Sequence, residues 1–254
     1  MSTLGVIVLS LPGMKRLNQS LESVRWADAV VVLHAGEEAP EITAALPSRS
    51  VVRRVDFAQA PKLPLKEIRT DWVVRLWGEE RIEPELQEEL RALCRLDLAT
   101  AKPSYRVHLR TRLLNHWVEG SLWEPSPAPR VTRAADGIAS GWWSERGRQD
   151  DQGLGRLRGR IGDYCALELR DGVERINRVS SLWAEDMQRR SSWPGAASIV
   201  LFSLRVFLKL LFRKRLFAKG LPGLTLSTLA AYATLLSGAK VWEARNAGRR
   251  KASG

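Results

Sequence analysis

Glu79 and Glu80 follow the stretch Trp72–Leu76 after Trp77 and Gly78 and stand just ahead of Pro84. The run Thr70–Leu93 reads as a short buried strand, a polar corner (Trp77-Gly78-Glu79-Glu80) and an amphipathic helix carrying Leu86, Leu90 and Leu93 at helical spacing. Pro84 suits the first helical turn, where its missing N–H would have no partner in any case. In an open α/β sheet, chemistry sits at the carboxyl ends of the strands, and an acidic corner there is a candidate for it. The bland alternative is a pair of acids complementing a helix N-terminus. His34 occupies a similar place, at the end of the apolar run Ala29–Leu33. His108 and His116, eight apart with no third ligand near, do not make a zinc site.

The elements that must hold this corner alternate. Leu4–Leu11 is an apolar run broken by Pro12-Gly13, and Leu17, Leu21 and Val24 then give a helical stripe over Met14–Arg25. Ala29–Leu33 and Ser50–Val55 read as further strands, with a helix expected around Glu41–Leu46 between them. Pro61 and Pro64 hold the next connection extended. This order predicts an α/β fold, a mostly parallel sheet with helices on both faces. Beyond it, Ala99–Leu109 and Leu113–Val118 are expected to pair as strands. Ser121–Arg130, with three prolines, is loop or edge, and Ala134–Gly155 is a polar surface segment. Leu167–Arg190 is helical, with Val173, Ile176, Val179, Ser180 and Trp183 on one face.

The chain has 254 residues, a net charge of +12 and a pI of about 10.4, which calls for an anionic partner. Cys94 and Cys165 form no CxxC pair, so neither a disulfide framework nor a cysteine zinc site is expected. No secretory signal is visible at the N-terminus. The charge gathers at the end. Ser198–Phe212 is apolar but places Arg205 and Lys209 on one side, and Arg213-Lys214-Arg215 and Lys219 follow. Gly220–Ala239 carries no charge, yet Gly220, Pro222, Gly223 and several Ser and Thr argue for a helix lying in a membrane interface rather than crossing it. Basic clusters beside apolar stretches fit the anionic cytoplasmic leaflet better than nucleic acid, since no aromatic stacking platform accompanies them. Two regions follow: residues 1–190 as an α/β domain and 191–254 as a membrane-associating tail.

Several strings resemble the family 2 glycosyltransferases of GT-A fold, closest to the subgroup acting in lipopolysaccharide-core and envelope polysaccharide synthesis. They are LNQSLESV (Leu17–Val24), ADAVVVL (Ala27–Leu33), TDWVVRLWGEERIEPELQEEL (Thr70–Leu90), Tyr105 with Trp117 to Arg130, GRLRG (Gly155–Gly159), ERINRVSSLWAED (Glu174–Asp186) and the tail Lys214–Glu243. The resemblance implies transfer of a sugar from a nucleotide sugar to a saccharide or lipid-linked acceptor. The place would be the cytoplasmic face of the inner membrane, with the protein peripheral or monotopic.

The family's metal motif, DxD, holds Mg²⁺ or Mn²⁺ across the diphosphate. Here Trp77 stands at its first Asp, Glu79 at the second and Glu80 at the following acid. Glu79 is thereby the candidate metal ligand, and Trp77 either covers the mouth of the cleft or stacks on a base or sugar. The nucleoside-binding Asp of the family falls on Leu33, with His34 next to it, and the family's basic residue and Asn ahead of Asp71-Trp72 fall on Pro61 and Lys62. Lys62 and Arg75 are candidate cations for phosphate. The family's His-Glu pair has no counterpart, leaving Glu145, Asp150 and Asp151 as general-base candidates by residue type alone. Asn177 and Arg178 match a family helix and are structural in character. The replaced acids support a second reading, a catalytically inactive relative serving as scaffold or partner subunit in polysaccharide assembly.

Overall fold

The computed structural model describes residues 2–37, 40–55, 68–120, 129–135, 153–189, 195–213 and 215–252. The chain divides into two compact units, Met1–Arg110 with Ser126–Cys165, and Thr111–Pro125 with Ala166–Gly254.

In the first unit the apolar runs become parallel strands: β1 (Leu4–Ser10), β2 (Ala29–His34), β3 (Ser50–Arg54) and β4 (Trp72–Trp77), in the order β3-β2-β1-β4. Every residue of β1, β2 and β4 is buried, as continuous apolar runs in a doubly covered sheet require. Helix α1 (Leu17–Glu22) is shorter than the stripe suggested, though Leu17, Leu21 and Val24 all reach the core. The helix expected around Glu41–Leu46 does not form. Asn18 holds that segment instead: its Oδ1 accepts the N–H groups of Thr43 and Ala44, and its Nδ2 donates to the Glu41 carbonyl. A side chain that takes up backbone groups in this way removes the reason to coil.

β5 (Glu80–Ile82) follows β4 after only Gly78 and Glu79, and α2 (Pro84–Leu93) opens with proline as expected. α2 lays Leu86, Leu90 and Leu93 into the core beside Trp72, Val74, Leu76 and Ile161. Each such leucine contributes roughly 1.5–3 kcal/mol of burial. β6 (Ser104–Leu113) turns through Leu114 and Asn115, both at positive φ, into β7 (His116–Glu119). The expected pairing is present, with the first strand running on to Leu113, because a two-residue turn with two positive φ values matches the strand twist.

β8 (Val131–Arg133) and β9 (Leu154–Ala166) complete the sheet, which continues β4-β8-β6-β9-β5. β1 to β4 pair in parallel, while β4–β8, β6–β8 and β5–β9 are antiparallel. β5 lies at the far end of that path yet only two residues from β4 in sequence, and the sheet must therefore curl. β9 replaces part of what reads as surface segment. Gly159 makes its approach to α2 possible, for a Cβ there would lie 2.3 Å from the Leu86 Cα.

The second unit is helical. α3 (Leu169–Arg189) buries Ile176, Val179 and Ser180, whereas Val173, expected on that face, is 38% exposed: it sits one residue round from the buried Gly172. The Trp183 side chain is outside the described residues. α4 (Ala196–Leu208) runs into a π-helical turn, Lys209–Arg213, then a short 3₁₀ turn, Leu216–Lys219, and α5 (Gly220–Ala252). The reversal uses Arg215 and Gly220, both at positive φ. Gly238 admits Ile199 of α4, whose Cγ2 would lie 2.3 Å from an added Cβ. Ser227 and Ser237 of α5 are buried with their hydroxyls bonded to carbonyls four residues back, so they need no water. α3 packs with α5 in this unit, on the far side of the division expected at residue 190. Lys240 lies within 2.6–2.9 Å of the Asn177 carbonyl and Oδ1, Ser180 Oγ and Ser181 Oγ. Among the described residues no helix is long and apolar enough to cross a membrane.

Candidate functional site at the carboxyl edge of the parallel strands

Register brings the ends of four strands level. Ser10 pairs with His34, Leu9 with Trp77, and His34 with Arg54. Past the strands, the ladder continues for one bond on each side of β1: the Ala35 N–H donates to the Ser10 carbonyl at 2.9 Å and the Gly78 N–H to Leu9 at 2.8 Å. His34 is 5% exposed, with Nδ1 3.1 Å from Ser10 Oγ. Gly36 leaves room for its ring, since a Cβ would meet Nε2 at 2.3 Å. Leu33 is buried in β2. Gly78 is similarly enclosed, between the Met14 sulfur and the Leu9 carbonyl.

The two acids of the corner take different positions. Glu79 lies in the turn, 3.7 Å from the Arg16 guanidinium, and its carbonyl accepts the Tyr164 N–H. Glu80 opens β5 and is completely buried. Its carboxylate accepts both forks of Arg130, at 2.8 and 2.9 Å, and the Trp77 N–H at 2.9 Å. Arg130 also donates to the Arg75 carbonyl at 3.1 Å, while the Arg75 guanidinium donates to the Pro129 carbonyl. Such a bidentate, hydrogen-bonded pair is the geometry in which a buried charge is tolerated. Trp77 is 2% exposed, an interior side chain, and Arg75 is interior as well.

The structure thus brings His34, Glu79 and Glu80 to one edge, all three buried. Arg16 and Arg130 are the partners that sequence reasoning missed. Arg16 had a signal in the basic pair Lys15-Arg16 just after the first strand; Arg130 closes the family-like string Trp117 to Arg130, but nothing in that string ties it to Glu80, 50 residues away. Lys62, Glu145, Asp150 and Asp151 lie outside the described residues. The donor set does not suit a divalent cation: Glu79 faces one guanidinium, both oxygens of Glu80 face another, and among the described residues no three His, Cys, Asp or Glu side chains gather. The cation at this edge is the Arg16 guanidinium, beside Glu79 and the strand ends. No protein-family model matches the chain.

Proposed function

We propose that this chain is a glycosyltransferase-like protein of the family 2 lineage. It takes a nucleotide sugar at the carboxyl edge of β1, β2 and β4 and passes the sugar to an envelope saccharide or lipid-linked acceptor. The observation that carries this reading is the edge itself, four parallel strands in the order β3-β2-β1-β4 whose ends meet at Ser10, His34 and the Gly78-Glu79 turn. Arg16 is the cation for the diphosphate, in place of a metal, because a guanidinium binds phosphate oxygens in pairs.

The second unit supports a place on an anionic membrane surface. Leu201, Phe202, Phe212, Phe217, Leu221 and Trp242 are between 46% and 68% exposed, and Arg205, Lys209, Arg213, Arg215 and Lys219 are exposed among them. Large apolar side chains interspersed with cations are the chemistry of a helix pair lying in the headgroup layer.

A second reading, a scaffold without catalysis, is favoured by one observation: each acid of the corner is already matched to an arginine. Calorimetric titration with UDP, GDP and CMP, with and without Mn²⁺, separates the two. The transferase reading expects binding that is indifferent to Mn²⁺ and weakened by Arg16→Ala; absence of binding by every nucleotide overturns it. For the membrane, flotation with anionic vesicles should be lost on replacing Leu201, Phe217 and Leu221 by Glu. Flotation that persists excludes the interfacial role.

A further inference from the structure

β6 and β9 are hydrogen-bonded neighbours in the first unit, and both alternate. Val107 and Leu109 of β6 are buried, as are Gly155, Leu157, Gly159 and Ile161 of β9. Two close approaches show that these odd-numbered residues share the core face. A Cβ on Gly155 would lie 2.1 Å from the Tyr105 ring, and one on Gly159 would strike the Leu86 backbone. With a period of two, the even-numbered residues of both strands share the opposite face. These are Arg106, His108 and Arg110 from β6 and Arg156, Arg158 and Arg160 from β9. His108, Arg156 and Arg158 are exposed, and the other three are half-buried. Of the nearby acids, Glu83 bonds Arg110 Nε at 2.6 Å, and Glu89 accepts the backbone N–H groups of Arg158 and Gly159.

Same-face residues lie about 7 Å apart along a strand and about 5 Å apart between strands, so five arginines and His108 form a close two-row array. Like charges so placed repel, and an anion with several charges removes that cost. Arginine forks match phosphate and carboxylate groups bidentately. The face lacks what two other polyanions or anionic surfaces need. Nucleic acid bases stack on aromatic rings, and the rings next to these positions are already covered by guanidinium groups, Tyr164 by Arg81 at 3.9 Å and Trp117 by Arg112 at 5.8 Å. Lipid needs apolar side chains to enter it, and the six positions supply none.

We infer that the outer face of β6 and β9 docks an anionic saccharide, a sugar chain bearing phosphate or carboxylate groups that is part of the acceptor. That the occupant is a saccharide rests on the glycosyltransferase reading; that it is anionic rests on the arginines alone.

The test uses the full chain and three labelled probes: a phosphorylated oligosaccharide, its uncharged parent, and an oligothymidylate of equal charge, followed by fluorescence anisotropy. The phosphorylated probe should bind at least about tenfold more tightly than the parent, a difference of about 1.4 kcal/mol. The double variant Arg156→Gln/Arg158→Gln should lose that binding while keeping its melting temperature and its nucleotide affinity. Equal binding of the neutral parent, or indifference to the double variant, overturns the inference. Tighter binding of oligothymidylate also overturns it and makes nucleic acid the occupant. Phosphorylated-saccharide binding that persists when no nucleotide binds supports the docking face and strikes the donor site instead.

Discussion

The Glu80 corner and the outer face of β6 and β9 both collect charge, but under opposite conditions. At the corner the charges are buried, matched acid to base, and held in bidentate geometry. On the sheet face Arg156 and Arg158 are exposed to water on alternate positions of one strand. The difference teaches where to look for stability and where for recognition. A buried ion pair is costly to break because its survivor is left without water, whereas an exposed arginine costs the fold little and remains available to a ligand.

The sharpest way to break this contrast is Arg130→Ala. It leaves the Glu80 carboxylate buried without its fork, and should cost about 3–5 kcal/mol in denaturant unfolding. A loss under about 1 kcal/mol would mean that the corner is not a matched buried pair. Next comes Gly159→Ala, which drives a methyl group into the Leu86 backbone at the join of β9 and α2. It should destabilise by about 1–3 kcal/mol, and the shift in the urea midpoint reads it. Arg16→Ala takes one partner, 3.7 Å away, from the buried Glu79 carboxylate and should cost about 1–3 kcal/mol while weakening nucleotide binding. Arg156→Gln/Arg158→Gln should be smallest in stability, within about 0.5 kcal/mol. An unfolding loss comparable to that of Arg130→Ala would erase the distinction between the two regions.

Cys94 adds a pH test of burial in the first unit. Burial, and then the charges of Asp28 and Asp71, push its thiol from 9.0 up to about 11. Between those values the folded chain holds a proton that the unfolded chain has released. Stability therefore falls as pH rises from about 9 to about 11. Cys94→Ala should flatten that fall, and unfolding midpoints at pH 8, 9 and 10 check it.

Much of the first unit was legible in local pattern. Apolar runs of five to eight residues bounded by Pro, Gly or His became β1, β2 and β4, and Pro84 marked the start of α2. β9 was legible in principle, for Gly155, Leu157, Gly159 and Ile161 alternate with arginines. Glycine conceals such a pattern because it reads as a turn; only the packing of Leu86 and Tyr105 shows why glycine is required there. The helix around Glu41–Leu46 failed for a converse reason. Its local sequence could coil, but Asn18, over twenty residues earlier, takes its backbone groups. Of the site, the sequence marked the strand ends and both acids, but not their different partners.

By itself, then, the sequence determined the α/β class, the acidic corner after β4 and the basic, apolar character of the tail, because these depend on runs and spacings within a few turns of chain. Only the tertiary structure decided what the acids do. Glu79 and Glu80 are adjacent in sequence, yet one lies in a turn near Arg16 and the other is enclosed with Arg130. The curl of the sheet is responsible: it carries β5 from the end of β4 to pair with β9, so that two consecutive buried residues meet different partners. The partners of a charge are set by strands distant in sequence, and no local spacing encodes them.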